Sequence, residues 1–311
     1  MLVNWLRHYS IVSIGVLLAV AGFEARAQMS APVVGLIAGE SPSFNEIRPV
    51  LGVLGASSIH APLSLPRQVS RVYLAPTGGW ALAQERGAAP GLVTFQGTVP
   101  SAVQAIAGAV RNPDVVSFSP LGKSSALYSA GGAIQVLTGL DATPRVAFQV
   151  SFDEPSGLKK LAVSDDGQLL AVLTAAGQVY LLTSSMTPLL AYAGSPSLGI
   201  AFLPNQSAAV IADGGNGTIN LARTANGVPV VQAVTGSLSS SPGDTLVEAS
   251  LDGASAFVVT AGSTSACRVD LTSGSMQSIT LPAVATRLGR LRDGESFVFS
   301  AQRAHGMVSD R

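Results

Sequence analysis

The feature that most constrains this chain is a short unit of apolar strand, tight turn and second apolar strand that recurs along most of its length. Its plainest copy runs Leu161-Ala162-Val163-Ser164, then Asp165-Asp166-Gly167-Gln168, then Leu169-Leu170-Ala171-Val172-Leu173. Asp and Gly belong at such a turn because they accept positive φ at little cost. A further turn at Ala176-Gly177 leads into Gln178-Val179-Tyr180-Leu181-Leu182, and Leu189-Leu190-Ala191-Tyr192 supplies a fourth strand. The unit recurs around Gly78, Gly122, Asn205, Gly253 and Gly294, so the steps between successive turn residues are 44, 45, 38, 48 and 41. Asn205 takes the place of glycine as the residue next most tolerant of the left-handed region.

A period of about 40–50 residues, each holding four short antiparallel strands, is the signature of a propeller blade. A β-sandwich shows turns but no self-similarity on this scale, and a β-helix repeats far more often. The strands are continuous apolar runs rather than strict alternations, as strands buried on both faces are. Residues 102–110 are apolar enough for a short helix, yet they fall where the outer strand of a blade is due. The expected fold is therefore an all-β propeller of six blades of four antiparallel strands, or seven if 101–110 hides a degenerate repeat. The sixth unit has room for only two strands before the end of the chain. The stretches Pro32-Val33-Val34-Gly35-Leu36-Ile37 and Ile47-Arg48-Pro49-Val50-Leu51-Gly52 are expected to pair with it and close the ring, since an open propeller leaves sheet edges exposed. Gly167, in the inner turn, is expected to tolerate valine far less than Gly177 tolerates alanine.

Segments such as Val163-Ser164-Asp165-Asp166-Gly167 and Phe118-Ser119-Pro120-Leu121-Gly122, each between apolar strands, resemble those of the broad WD40-like and YVTN-type bacterial β-propeller proteins. The resemblance covers about residues 65–300, by the blade-repeat criterion. The Trp-Asp dipeptide of WD40 repeats is absent, so that subfamily's hydrogen-bond network does not carry over. The resemblance implies blade geometry; such proteins include partner-binding scaffolds and a few lactone hydrolases.

The start of the chain reads as a secretory signal. Arg7 and His8 are followed by an uncharged apolar run over 11–22, and Ala25-Arg26-Ala27 places small residues where a signal peptidase reads them. The run is about half the roughly 20 residues a spanning helix needs. The expected organisation is a signal peptide over 1–27, a single propeller over 28–303 and a C-terminal tail over 304–311, with export to the periplasm or the medium and no membrane span after cleavage. Only 12% of residues are charged and the net charge is +0, which gives no long-range pull on nucleic acid or anionic lipid. Cys267 is the one cysteine, so no internal disulfide exists and burial must hold the fold. Its alternating surroundings point to a structural thiol.

Chemistry-bearing constellations are sparse. His60 and His305 are the histidines left after the leader, too few with one cysteine for a usual zinc site. No Gly-x-Ser-x-Gly elbow surrounds any serine. For oxygen-loving cations, Asp213-Gly214-Gly215-Asn216-Gly217 is the most ligand-like stretch; Asp213 and Asn216 are weak metal candidates, and a hairpin loop accounts for the same residues. No catalytic residue and no cofactor are expected. Arg287, Arg290 and Arg292 read as solvated edge residues, and Lys159-Lys160 as a solvated strand end. Two functions fit: a monomeric, non-catalytic module that binds a protein or small ligand, or a lactonase-like hydrolase with a metal at the central channel. The reading leans away from the enzyme. It would return if three or more of Glu46, Asp114, Glu154, Glu248 and Asp270 converged at the axis.

Overall fold

The computed structural model describes residues 31–39, 45–53, 56–65, 69–154, 156–185, 187–235, 238, 243–290, 296–301 and 304–309. The repeat turns take the conformation their residues dictate. Gly78, Gly122, Gly167, Asn205 and Gly253 have φ of 64°, 71°, 68°, 53° and 70°; Gly294 lies outside the described residues. In four of these turns the glycine N–H donates back three residues, from Gly78 to Ala75 O at 2.8 Å, Gly122 to Ser119 O at 2.9 Å, Gly167 to Ser164 O at 2.9 Å and Gly253 to Ser250 O at 3.0 Å. Where the turn opens on serine, the hydroxyl completes it. Ser164 Oγ accepts from Leu169 N at 3.0 Å and donates to Asp166 at 2.5 Å. Ser250 Oγ accepts from Ser255 N at 2.9 Å and donates to Asp252 at 2.6 Å. Serine, aspartate and glycine at these spacings thus satisfy a buried turn's polar groups locally.

Each turn joins the inner two strands of an antiparallel sheet, and the six blades marked in the sequence are all present. The first comprises Val69–Leu74, Trp80–Glu85 and Gly91–Gln96, with Val99–Pro100 and Gln104–Ala105 both paired to the third strand. Residues 101–110 therefore finish this blade's outer edge and hide no repeat. The second to fifth blades have four strands each, opening with Val115–Phe118, Leu158–Val163, Leu198–Phe202 and Thr245–Ala249. The sixth has Arg287–Arg290, Ser296–Ala301 and Ala304–Ser309. Residues 304–309, expected to form a tail, are thus the last strand of a blade, paired from Ser296↔Ser309 to Ala301↔Ala304.

Ring closure differs from the expectation. The N-terminal strands Val33–Ala38 and Ile47–Val53 do not pair with the sixth blade among the described residues; with a third strand, Ala56–Ile59, they make a separate sheet. That third strand, Ala-Ser-Ser-Ile, is too polar to stand out in the sequence. Because it and the final strand fill both sheets from local chain, neither needs to lend a strand to the other. The N-terminal sheet packs on the first blade through Leu36, Ile47, Val69 and Val72. Its inner strand joins the six blade strands around one central channel.

The core lies between blades. Leu173, Val179 and Leu181 of the third blade meet Ile200, Phe202 and Ile211 of the fourth. The second and third blades meet through Val136, Leu161 and Val172, and the fourth and fifth through Val210, Ile219 and Val258. Phe257 stacks on Phe297 at 4.0 Å between the fifth and sixth. Second strands such as Leu170–Thr174 are buried at every position, which explains their unbroken apolar sequence. Outer strands such as Arg145–Ser151 alternate instead. Each fully buried Leu or Ile contributes about 1.5–3 kcal/mol, enough across these interfaces to dispense with disulfides. Residues Val33–Arg311 form one compact unit; the expected leader, 1–27, lies outside the described residues. Among these, no helix is long and apolar enough to cross a membrane.

Candidate functional site

The inner strands enclose a channel of about 370 Å³ at the propeller axis. Its walls are largely apolar, with Val116, Phe118, Leu161, Ile200 and Leu288 among them. Four charged side chains interrupt them: Lys160 of the third blade, Glu248 of the fifth, and Arg287 and Arg290 of the sixth. Lys160 lies seven residues before its turn glycine, Gly167, and Glu248 five before Gly253. Both sit on inner strands that line the channel.

Arg290 braces the channel. One guanidinium nitrogen donates to Ala249 O at 3.1 Å and the other to Pro120 O across the channel. Burial pushes its pKa down, against the attraction of Glu248 and Asp165. Asp165 in turn clamps three blades, accepting from Leu121 N at 2.7 Å and Asn205 N at 2.8 Å while its own carbonyl accepts from Ser124 Oγ at 2.9 Å. Lys160 and Glu248 face channel space yet are surrounded by protein. Burial lowers the Lys160 pKa, partly offset by Glu248. Burial raises that of Glu248, partly offset by Lys160 and Arg290. Both residues are partly buried.

These groups correct two expectations. Lys159 and Lys160 are not a solvated strand end: Lys159 donates to Pro196 O at 2.5 Å and pairs with Asp244 at 2.6 Å, while Lys160 turns to the axis. Arg287 and Arg290 line the channel rather than a solvated edge; Arg292 lies outside the described residues. The available signal was a charge within an otherwise apolar inner strand a few residues before the turn.

Asp213 and Asn216 do come together, as a cap rather than an open coordination site. The Asp213 carboxylate accepts from Tyr192 OH at 3.1 Å, Ser195 N at 3.1 Å, Ser195 Oγ, Asn216 N at 3.0 Å and Asn216 Nδ2 at 2.8 Å. Five donors occupy its lone pairs, leaving little for a cation. Adding millimolar calcium or a chelator is accordingly expected to leave the melting temperature unchanged; a calcium-dependent rise would contradict the cap.

Of the five carboxylates whose convergence would have favoured an enzyme, only Glu248 reaches the channel. Glu46 pairs with Arg48 at 3.0 Å, Asp114 accepts from Ala130 N at 2.6 Å, Asp270 accepts from Thr272 N and Ser273 N, and Glu154 lies beside Tyr180. No group of three or more His, Cys, Asp or Glu suited to a metal occurs among the described residues. His60 is exposed and hydrogen-bonds Ser58 at 3.1 Å; His305 falls in the last strand. The Cys267 thiol is half-buried, and burial raises its pKa, as suits an unreactive packing residue.

No protein-family model matches the sequence, and no curated protein matches it either. Solved structures do. A functionally unknown protein from Desulfotomaculum acetoxidans aligns at 13% identity and a TM-score of 0.61, over 88% of this chain and 92% of its own. Hydrazine synthase of Kuenenia stuttgartiensis aligns at 12% and 0.59, over 93% and 99%. A chain of the mitotic checkpoint complex aligns at 14% and 0.57, over 87% and 81%. At such identities the likeness is one of fold, and it places this chain among WD40-like β-propellers in architecture alone.

Proposed function

We propose that this chain is an exported, non-catalytic β-propeller that binds a protein or small ligand, acting as a monomer in the periplasm or the medium. The observation that carries the reading is the channel: a ligand-sized space in which side chains from separate blades meet, with Glu248 the one carboxylate among its lining residues. Hydrolysis in such a channel needs several oxygen ligands on one cation, or a nucleophile with a base in reach. Here Glu46 is spent on an ion pair, and Asp114, Asp165, Asp213 and Asp270 on hydrogen bonds in turns and loops. Braced by Arg290 and Asp165, the ring supplies a rigid frame. Among structures of the same fold are parts of assemblies, the mitotic checkpoint complex being one, which is in keeping with a binding role. Export rests on the leader-like residues 1–27.

Two measurements test this reading. Purified protein screened against lactones and simple esters, with and without calcium, is expected to show no turnover. Turnover lost on Glu248→Gln would replace the binding reading with an enzymatic one. Mass spectrometry of the exported protein is expected to find Gln28 at the mature N-terminus; intact Met1 in the membrane fraction would remove the export element.

A further inference from the structure

The channel holds two opposite charges that no hydrogen bond or ion pair engages among the described residues. Among the described residues, Lys160 and Glu248 form no hydrogen bond and no ion pair, and only a longer-range attraction links them. Both face the same space of about 370 Å³. Both are partly buried, and ionic groups drawn away from bulk water without hydrogen bonds are costly. Arg290 shows the contrast in the same channel, since its guanidinium is anchored on two backbone carbonyls. The third and fifth blades thus present an ammonium and a carboxylate across a gap, with apolar wall around both.

We infer that the channel is a binding site for a zwitterionic α-amino acid with an apolar side chain, whose carboxylate meets Lys160 and whose ammonium meets Glu248. In such a ligand the two charged groups lie about 3 Å apart, and a charge-assisted hydrogen bond of about 2.8 Å on each side lets one small molecule bridge side chains too far apart to pair directly. Val116, Phe118, Leu161, Ile200 and Leu288 offer its side chain an apolar surface. Lys160, Arg287 and Arg290 line the channel with the single carboxylate Glu248; a zwitterion engages both Lys160 and Glu248, where a simple anion or cation leaves one of that pair unmatched. Arg290, already committed to Ala249 and Pro120, holds the frame. The inference rests on the binding reading above and names the ligand class for it.

Calorimetric titration of the purified protein with L-leucine tests it, with L-leucinamide (no carboxylate) and 4-methylpentanoate (no ammonium) as controls. Leucine is expected to bind and to raise the melting temperature. Each control is expected to bind at least about tenfold more weakly, a difference of about 1.4 kcal/mol. Lys160→Met or Glu248→Met alone leaves the opposite charge unmatched, so the double variant is the decisive one: it is expected to fold, keep its melting temperature or gain, and lose leucine binding. No heat and no stabilisation with leucine or phenylalanine at about 10 mM overturns the inference, as do controls that bind equally or a double variant that binds like the parent. Each of these, with no ester turnover, defeats the amino-acid assignment and leaves the binding reading standing; turnover defeats that reading instead.

Discussion

Gly177→Ala is expected to destabilise the protein by about 2–5 kcal/mol, although it adds a single methyl group. Gly177 has φ +79°, and a Cβ built there lies 2.4 Å from Ser195 O, 2.7 Å from Ser195 C and 2.9 Å from Gly194 O. All three are backbone atoms, and the segment is pinned by a hydrogen bond from Gly194 N to Gly177 O at 2.9 Å. The left-handed conformation costs an L-residue about 1–2 kcal/mol, and overpacking adds about 1–3. Gly87 is the control: φ is +77° but nothing lies within 4 Å of its Cβ, so Gly87→Ala is expected to cost only the first of these, about 1–2 kcal/mol. At Gly167 the nearest atoms are side-chain ones, Thr138 Cγ2 at 2.4 Å and Ser124 Oγ at 3.0 Å. Gly167→Val is severe as well, but the expectation that Gly177→Ala is mild beside it does not survive the packing of Ser195. Urea denaturation of the three variants checks the order; equal midpoints for Gly177→Ala and Gly87→Ala would refute it.

Asp213→Ala is expected to cost about 2–6 kcal/mol at neutral pH. Asp213 is fully buried, and its loss strands the N–H groups of Ser195 and Asn216 at about 1–3 kcal/mol each. The same residue contributes to acid sensitivity. Burial pushes its pKa up, but hydrogen bonds from Ser195 and Asn216 outweigh that, and the carboxyl ends below its usual range. The folded state therefore holds the proton less tightly than the unfolded chain. This stabilisation is complete above the unfolded pKa of about 3.9 and is lost as pH falls through the folded value. Asp213→Asn is expected to be less stable at neutral pH and to show a shallower loss of stability below about pH 4. Parallel acid limbs for the two proteins would mean that another carboxylate carries the effect.

The fold was legible because its determinants are local. A turn needs residues that accept positive φ, and Gly78, Gly122, Gly167, Asn205 and Gly253 all do so. Strands buried on both faces need unbroken apolar runs, and Leu169 to Leu173 is one. Repetition of those two demands is enough to specify blades. Ring closure was less legible, since Ala56–Ile59 is short and polar and its strand forms only by pairing with Ile47–Val53.

The candidate site was the least legible part, for a geometric reason. Along an inner strand, alternation tells which residues share a face, not whether that face meets solvent or the walls of a channel. Lys160 and Arg290 therefore read as ordinary surface charges until the ring curls them inward. Likewise the Asp213 carboxylate suits a cation, and only the arrival of Tyr192 and Ser195, beside the donors of Asn216, turns its oxygens into acceptors already filled. Local chemistry along the chain determined the blades and their turns. Which charges meet at the axis, and which are spent within a loop, was decided by contacts between residues of different blades, because burial and hydrogen-bond supply are properties of the assembled ring.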